Sequence, residues 1–223
     1  MIEYHKIDGL YARNPETKRL MPGIYRSELV HYLANNQWQF TEKIDGTNIR
    51  VYWDGHRVSF GGRTDRADIP GRLRIRLEDL FGGEANEQMF EQLFGEKHVI
   101  LFGEGYGAKI QSGGAYIPDG NDFILFDVQV LDDEEESGIF LKRYACEEIA
   151  KAFGIQMVPI IMEGTLVEAE AYIKARPDST IGTAKMEGLV GKPVVEMMDR
   201  MGRRVIVKIK VRDYQEIESY DVR

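Results

Sequence analysis

Lys43 is the residue in this chain whose setting most invites chemistry. It closes the apolar segment Trp38-Gln39-Phe40-Thr41, stands just before the small turn Asp45-Gly46, and leads through Asn48 into a β-rich run. A free lysine is a poor nucleophile, because with a pKa of about 10.4 almost none of it is neutral at neutral pH. Desolvation or neighbouring cations can activate it, and a turn between two strands that faces a cleft offers such a place. An ordinary surface hairpin is the alternative, since Asp-Gly is common in turns. Lys6-Ile7-Asp8-Gly9 repeats the first letters but has Tyr11 where Asn48 stands in the other copy, and it reads as an N-terminal turn. Familiar phosphate-binding loops are missing. Around Gly191-Lys192, Met186 occupies the place of the first P-loop glycine and Pro193 that of the hydroxyl residue. Gly103-Glu104-Gly105-Tyr106-Gly107 is followed by Ala108, so the third glycine of a dinucleotide fingerprint is absent.

The elements that would position Lys43 are mostly strands. Asn48–Trp53 alternates and meets Asp54-Gly55, a hairpin signal, with Arg57–Phe60 as the return strand. His98–Phe102 and Asp122–Val130 are apolar runs of strand length. Leu189–Met197 and Arg204–Val211 read as two further strands, joined near Asp199–Gly202. Helices are expected at Ser27–Asn35, Asn86–Phe94, Lys142–Phe153 (ending at Gly154) and Glu168–Ala175 (stopped by Pro177). No βαβ alternation is visible, so the expected fold is one α+β domain, 1–223, of twisted, largely antiparallel sheets flanked by helices.

Composition narrows the classes. Of 223 residues, 43% are hydrophobic and 30% charged, as in an ordinary globular chain. No apolar run has the roughly 20 residues of a membrane helix and no signal peptide is evident, so a cytoplasmic protein without membrane contact is expected. The lone Cys146 and the scattered His5, His31, His56 and His98 argue against a zinc or local Cys-His thiol enzyme. A net charge of -8 argues against a nonspecific nucleic-acid coat. Residues 132–136 form an acidic block. Arg57, Arg63, Arg66, Arg72, Arg74 and Arg76 are opposed only by Asp65 and Asp68; they could meet phosphates or form a solvated surface.

Glu42-Lys43-Ile44-Asp45-Gly46-Thr47-Asn48 resembles motif I of the covalent nucleotidyltransferases, the superfamily of DNA ligases, RNA ligases and capping enzymes. Further segments resemble that superfamily's other motifs in order: Gly61-Gly62-Arg63-Thr64, Ile100-Leu101-Phe102-Gly103-Glu104-Gly105, Phe123 to Val128, Glu187-Gly188-Leu189-Val190 and Lys208-Ile209-Lys210. The resemblance runs from 42 to 210. It implies an adenylation domain in which Lys43 attacks the α-phosphate of ATP and carries AMP.

The resemblance also assigns roles. Lys208 and Lys210, two apart and so on one strand face, would hold the α-phosphate and depress the pKa of Lys43. Phe123 would stack on the purine and Glu42 would meet the adenine edge, with Ile44 beside them in the nucleotide site. Asn48 and Arg63 would contact AMP or a nucleic-acid 5'-phosphate. Glu104 would accept from the ribose, and Glu187 with Glu104 would support Mg2+ or Mn2+. The motif I letters and the Gly62-Arg63-Thr64 segment are most similar to ATP-dependent RNA ligases of the T4 RNA ligase 2-like group. That implies an RNA partner with 5'-phosphate and 3'-hydroxyl ends, contacted by Arg63, Arg66 and Arg72. Only 13 residues follow Lys210, too few for a C-terminal OB domain, so a protein partner is one expected substitute. A minimal DNA ligase, another acceptor, or a nonenzymatic binding protein are the competing readings.

Overall fold

The computed structural model describes residues 2–132 and 137–221; the rest of the acidic block, 133–136, lies outside them. In chain order the elements begin with β1 (Asp8–Gly9), β2 (Tyr11–Arg13), β3 (Leu20–Tyr25), α1 (Glu28–Tyr32), β4 (Trp38–Lys43), β5 (Thr47–Trp53) and β6 (Val58–Gly61). Next come α2 (Gly71–Phe81), α3 (Glu84–Phe94), β7 (Val99–Gly107), β8 (Asn121–Leu131), β9 (Gly138–Phe140) and α4 (Arg143–Ala152). The chain finishes with β10 (Gln156–Met157), β11 (Ile160–Gly164), α5 (Leu166–Lys174), β12 (Gly188–Pro193), β13 (Val207–Lys210) and α6 (Val211–Asp221). These elements divide into two compact units. The first holds residues 2–5 and Asp45–Val158, the second Lys6–Ile44 and 159–221.

The first unit is built on a sheet ordered β10-β8-β7-β5-β6, with β9 on β8. Only β10–β8 is parallel within it. The Asp54-Gly55 turn is as expected: Asp54 Oδ1 accepts from the amides of His56 and Arg57 at 2.9 and 2.7 Å. Gly55 sits at φ +87°, a region that favours glycine. Strand alternation splits the sheet's side chains. Ile49, Val51, Trp53, Val99, Leu101, Phe123, Leu125 and Val128 meet the apolar sides of α2, α3 and α4. Asn48, Arg50, Phe102 and Glu104 fall on the opposite face. There Tyr4 packs edge-on against Phe102 and donates to Asp127 at 2.7 Å.

The second unit has a sheet ordered β1-β13-β12-β4-β11 and the two-stranded ribbon β2–β3. Only β1–β13 is parallel among its pairs. Trp38, Phe40, Leu189, Val207 and Ile209 face Leu166, Ala169 and Ile173 of α5. Among the described residues no strand set closes into a barrel, and no helix is long and apolar enough to cross a membrane.

The mixed, largely antiparallel class agrees with the sequence, and four element boundaries are corrected. The arginine-rich run is partly helical: Leu73, Leu77 and Phe81 form a buried i, i+4, i+8 stripe along α2. The strand expected to reach Met197 ends at Pro193, where Val194 and Val195 turn outward. The strand expected over Arg204–Val211 begins at Val207, and α6 starts where it was to end. The strand expected over His98–Phe102 is Val99–Gly107 and takes in the glycine-rich run.

Candidate active site

Lys43 ends β4, the strand that lies between β12 and β11. Its register places Lys43, Gly188 and Lys210 in one cross-strand row, and Thr41, Val190 and Lys208 in the next row of the same face. Two strands, β4 and β13, therefore place Lys43, Lys208 and Lys210 on one side of the sheet. Glu187, the residue before β12, joins two of them. Its Oε2 accepts from Lys43 Nζ at 2.6 Å and its Oε1 from Lys210 Nζ at 2.6 Å. The three side chains are 23%, 14% and 16% exposed for Lys43, Lys210 and Glu187, so the cluster is shielded without being sealed. Gly188 permits it. A Cβ there would lie 2.1 Å from the Ile209 carbonyl oxygen, so no other residue fits between the two lysine strands.

Placement differs from expectation at three points. Lys208 and Lys210 were expected to share one strand face and act on Lys43, and they lie on its face of the sheet, but the group bonded to Lys43 is the Glu187 carboxylate. Glu42 lies on the opposite face of β4 and is 1% exposed. Its carboxylate accepts from Ser179 Oγ at 2.5 Å, Thr180 N at 2.9 Å and Thr180 Oγ1 at 2.6 Å. Ile44, beside it, is also buried. Ser179 and Thr180 escaped the sequence reading because nothing local connects them to a carboxylate 137 residues away.

In the first unit, Asn48, Glu104 and Ile124 form one cross-strand row. Asn48 Oδ1 is buried and has no hydrogen-bond partner among the described residues. Phe123 lies one row away and therefore on the other face. It is 1% exposed, with its ring edge-on to Phe81 at 5.3 Å. The expected purine platform is a core side chain, because strand alternation turns it toward α2 and α3. The turn that follows Lys43 is anchored in this unit too: Asp45 N donates to the Tyr116 hydroxyl, and the Ser112 amide donates to Asp45 Oδ2, each at 3.2 Å.

The arginine segment separates into two groups. Arg57, Arg63 and Arg66 are exposed. Arg72, Arg74 and Arg76 project from α2 and meet Asp119, Glu78 and Asp122 at 3.2, 3.9 and 3.0 Å. A residue the sequence reading passed over, Arg50, organises the loop that carries Arg63 and Arg66. Fully buried, it donates to the Gly62 carbonyl at 2.7 Å, the Ile2 carbonyl at 3.1 Å and Asp65 at 2.8 Å. The Arg50 hydrogen bond and charge hold the Asp65 carboxyl below its ordinary range. Among the described residues no group of three or more His, Cys, Asp and Glu side chains gathers as a metal cage.

Three lysines and a bridging carboxylate thus share one face of this sheet. Solved structures of the Naegleria gruberi RNA ligase share the fold. A mutant form with ATP and Mn superposes with a TM-score of 0.59 at 20% identity, covering 86% of this chain and 54% of that one. Another form with ATP and Mn gives 0.63 at 20% identity, covering 98% and 58%. A form with AMP and Mn gives 0.61 at 21% identity, covering 85% and 54%. The chain thus spans little more than half the length of these relatives. A comparison with curated proteins returned no match. The family model for RNA ligase matches residues 36–210, most of the chain, and the protein belongs to the RNA ligase family.

Proposed function

We propose that this protein is an ATP-dependent RNA ligase with Lys43 as its nucleophile. The observation that carries this reading is the Glu187 carboxylate bridging Lys43 and Lys210 on a shared sheet face. An anion already sits between the two amines, so the same place suits a phosphate. Lys208 and Lys210 would hold the α-phosphate oxygens as charge builds in the transition state. Lys43 Nζ would attack the α-phosphorus, the bond to the bridging oxygen of the β-phosphate would break, and pyrophosphate would leave. Glu187, hydrogen-bonded to Nζ, is placed to take the amine's proton. An oxygen of an RNA 5'-phosphate would next attack the lysyl-AMP phosphorus, breaking the N–P bond. A 3'-hydroxyl would then attack the RNA phosphorus and expel AMP, sealing the strand.

The residues suit a nucleotide-borne divalent ion better than a protein cage, since Mg2+ commonly takes one or two carboxylates plus phosphates. Glu187, beside the lysines, is the carboxylate that would hold it. Bound there, the ion would neutralise triphosphate charge. Arg63 and Arg66, exposed on the loop fixed by Arg50, would meet the RNA 5'-phosphate, with Arg72 nearby in sequence.

Incubation with α-labelled ATP or GTP and Mg2+ or Mn2+, followed by denaturing electrophoresis, tests the reading. Label from ATP alone, lost in Lys43→Ala, is the expected outcome. Label persisting in that variant would overturn the nucleophile, and label from GTP would favour a capping-type enzyme. Sealing of nicked RNA against nicked DNA then decides the acceptor.

A further inference from the structure

Arg50 stands within β5, paired across the sheet with Phe102 of β7 and Gly61 of β6, and is fully buried. A buried guanidinium is costly to desolvate, and a well-packed apolar side chain would fill such a place at lower cost. What the arginine adds is a rigid, planar fork. Its Nε donates to the Gly62 carbonyl at 2.7 Å and its Nη2 to Asp65 Oδ1 at 2.8 Å, so one group grips two points of the loop that follows β6. Its Nη1 donates to the Ile2 carbonyl at 3.1 Å, which ties the same hub to the segment held by the Tyr4–Asp127 hydrogen bond.

The loop is also closed on itself. Ala67 N donates to the Thr64 carbonyl at 3.1 Å. A Cβ at Gly62 would lie 2.9 Å from Ala67 Cβ, so the two limbs of the loop touch and only a glycine leaves room for them. Arg63 lies between the two gripped positions and Arg66 directly after the second, and both are exposed. Asp65 is 66% exposed, yet its carboxylate turns back to the buried fork. The backbone that carries the two exposed arginines is thus fixed from within the sheet.

We propose that Arg50 and Asp65 are positioning residues for recognition of an RNA 5'-phosphate: their latch holds the 62–67 loop in one shape, and that shape lets Arg63 and Arg66 favour a terminal phosphate. The proposal rests on the reading that Arg63 and Arg66 meet that phosphate. A cation of any placement attracts the phosphates along a strand, whereas selecting the end of the strand needs donors fixed in place. Side chains ordered beforehand also lose less freedom on binding. The latch and simple charge predict opposite signs for Asp65→Asn. Removing a negative charge beside two cations would tighten binding to all RNA if charge alone counted. With a latch, the preference for a 5'-phosphate falls.

The test measures, by fluorescence anisotropy on the full chain, the affinity for one RNA oligonucleotide bearing either a 5'-phosphate or a 5'-hydroxyl, and takes the ratio of the two. Asp65→Asn is expected to cut that ratio about fivefold, the order of restoring freedom to one or two side chains. Asp65→Glu, which keeps the carboxylate, should retain most of it. Labelling of Lys43 from ATP on the same preparations should stay within about twofold, since Asp65 is bonded to Arg50 and the lysine to Glu187. Arg63→Gln with Arg66→Gln should remove the preference altogether. A ratio that survives Asp65→Asn but not the double arginine variant would overturn the latch and leave the arginines' role standing. Equal loss of ratio and labelling in both Asp65 variants would overturn it too, as the mark of a merely structural pair. No preference in the unaltered protein, or one that the double arginine variant leaves intact, would overturn instead the reading that these arginines meet the phosphate.

Discussion

Glu187 determines how Lys43 and Lys210 stand. Its two oxygens hold Lys43 and Lys210 on one face and offset the repulsion two unbridged ammonium groups would feel. Glu187→Gln keeps the shape but removes the charge and the proton acceptor. The expected result is an approximately hundredfold slower formation of lysyl-AMP, of the order seen when a catalytic acid, base or stabilising group is lost. Single-turnover labelling would check it. Arg50 acts at the same scale in the first unit. Arg50→Met strands two carbonyls and a carboxylate and should cost about 2–4 kcal/mol in urea unfolding. Its partner Asp65 has a depressed carboxyl, so the pair's contribution is present above the ordinary carboxylate pKa and is lost as pH falls through the lower folded value. Asp65→Asn should therefore flatten the acid limb of a stability–pH curve; an unchanged limb would show that the pair contributes nothing.

At the scale of elements, β4 shows how one strand serves two ends. Its odd positions carry Thr41 and Lys43 to the open face, while Trp38, Phe40 and Glu42 go to the α5 side. Glu42 is the exception on that side, a carboxylate held in the apolar layer by Ser179 and Thr180. Removing its donors in Ser179→Ala/Thr180→Val leaves it under-bonded, and a loss of about 1–3 kcal/mol in thermal or urea unfolding is expected. α2 is equally informative. Leu77→Ala in its fully buried stripe should cost about 2–5 kcal/mol. The stripe Leu73-Leu77-Phe81 is legible in the sequence at helical spacing, and the arginines between its members are what concealed it. The helix expected over Glu168–Ala175 starts two residues earlier, because Thr165 and Glu168 make a capping box that the letters themselves carry.

Over the whole molecule, the family match spans β4 to β13 and so draws on both units. An RNA substrate of the proposed kind would have to be held by local cations against a repulsive background, since the net charge is -8. For two or three phosphate contacts, raising monovalent salt from about 50 to about 200 mM should lower RNA affinity about tenfold. A salt-independent affinity would exclude phosphate contacts as the basis of binding.

The local letters were enough to pick out Lys43, its turn and the β5–β6 hairpin, because a turn and the strands around it are encoded by adjacent residues. They also placed Lys208 and Lys210 on one side of a strand, which needs only the two-residue period. Strand register, however, depends on pairing partners more than a hundred residues apart. Only the tertiary structure could show that Gly188 stands between Lys43 and Lys210, that Glu187 joins them, and that Glu42 answers to Ser179 and Thr180. The same holds for Phe123. Its aromatic type suggested a purine platform, but which face of β8 is covered by helices is settled by packing, and packing put it in the core.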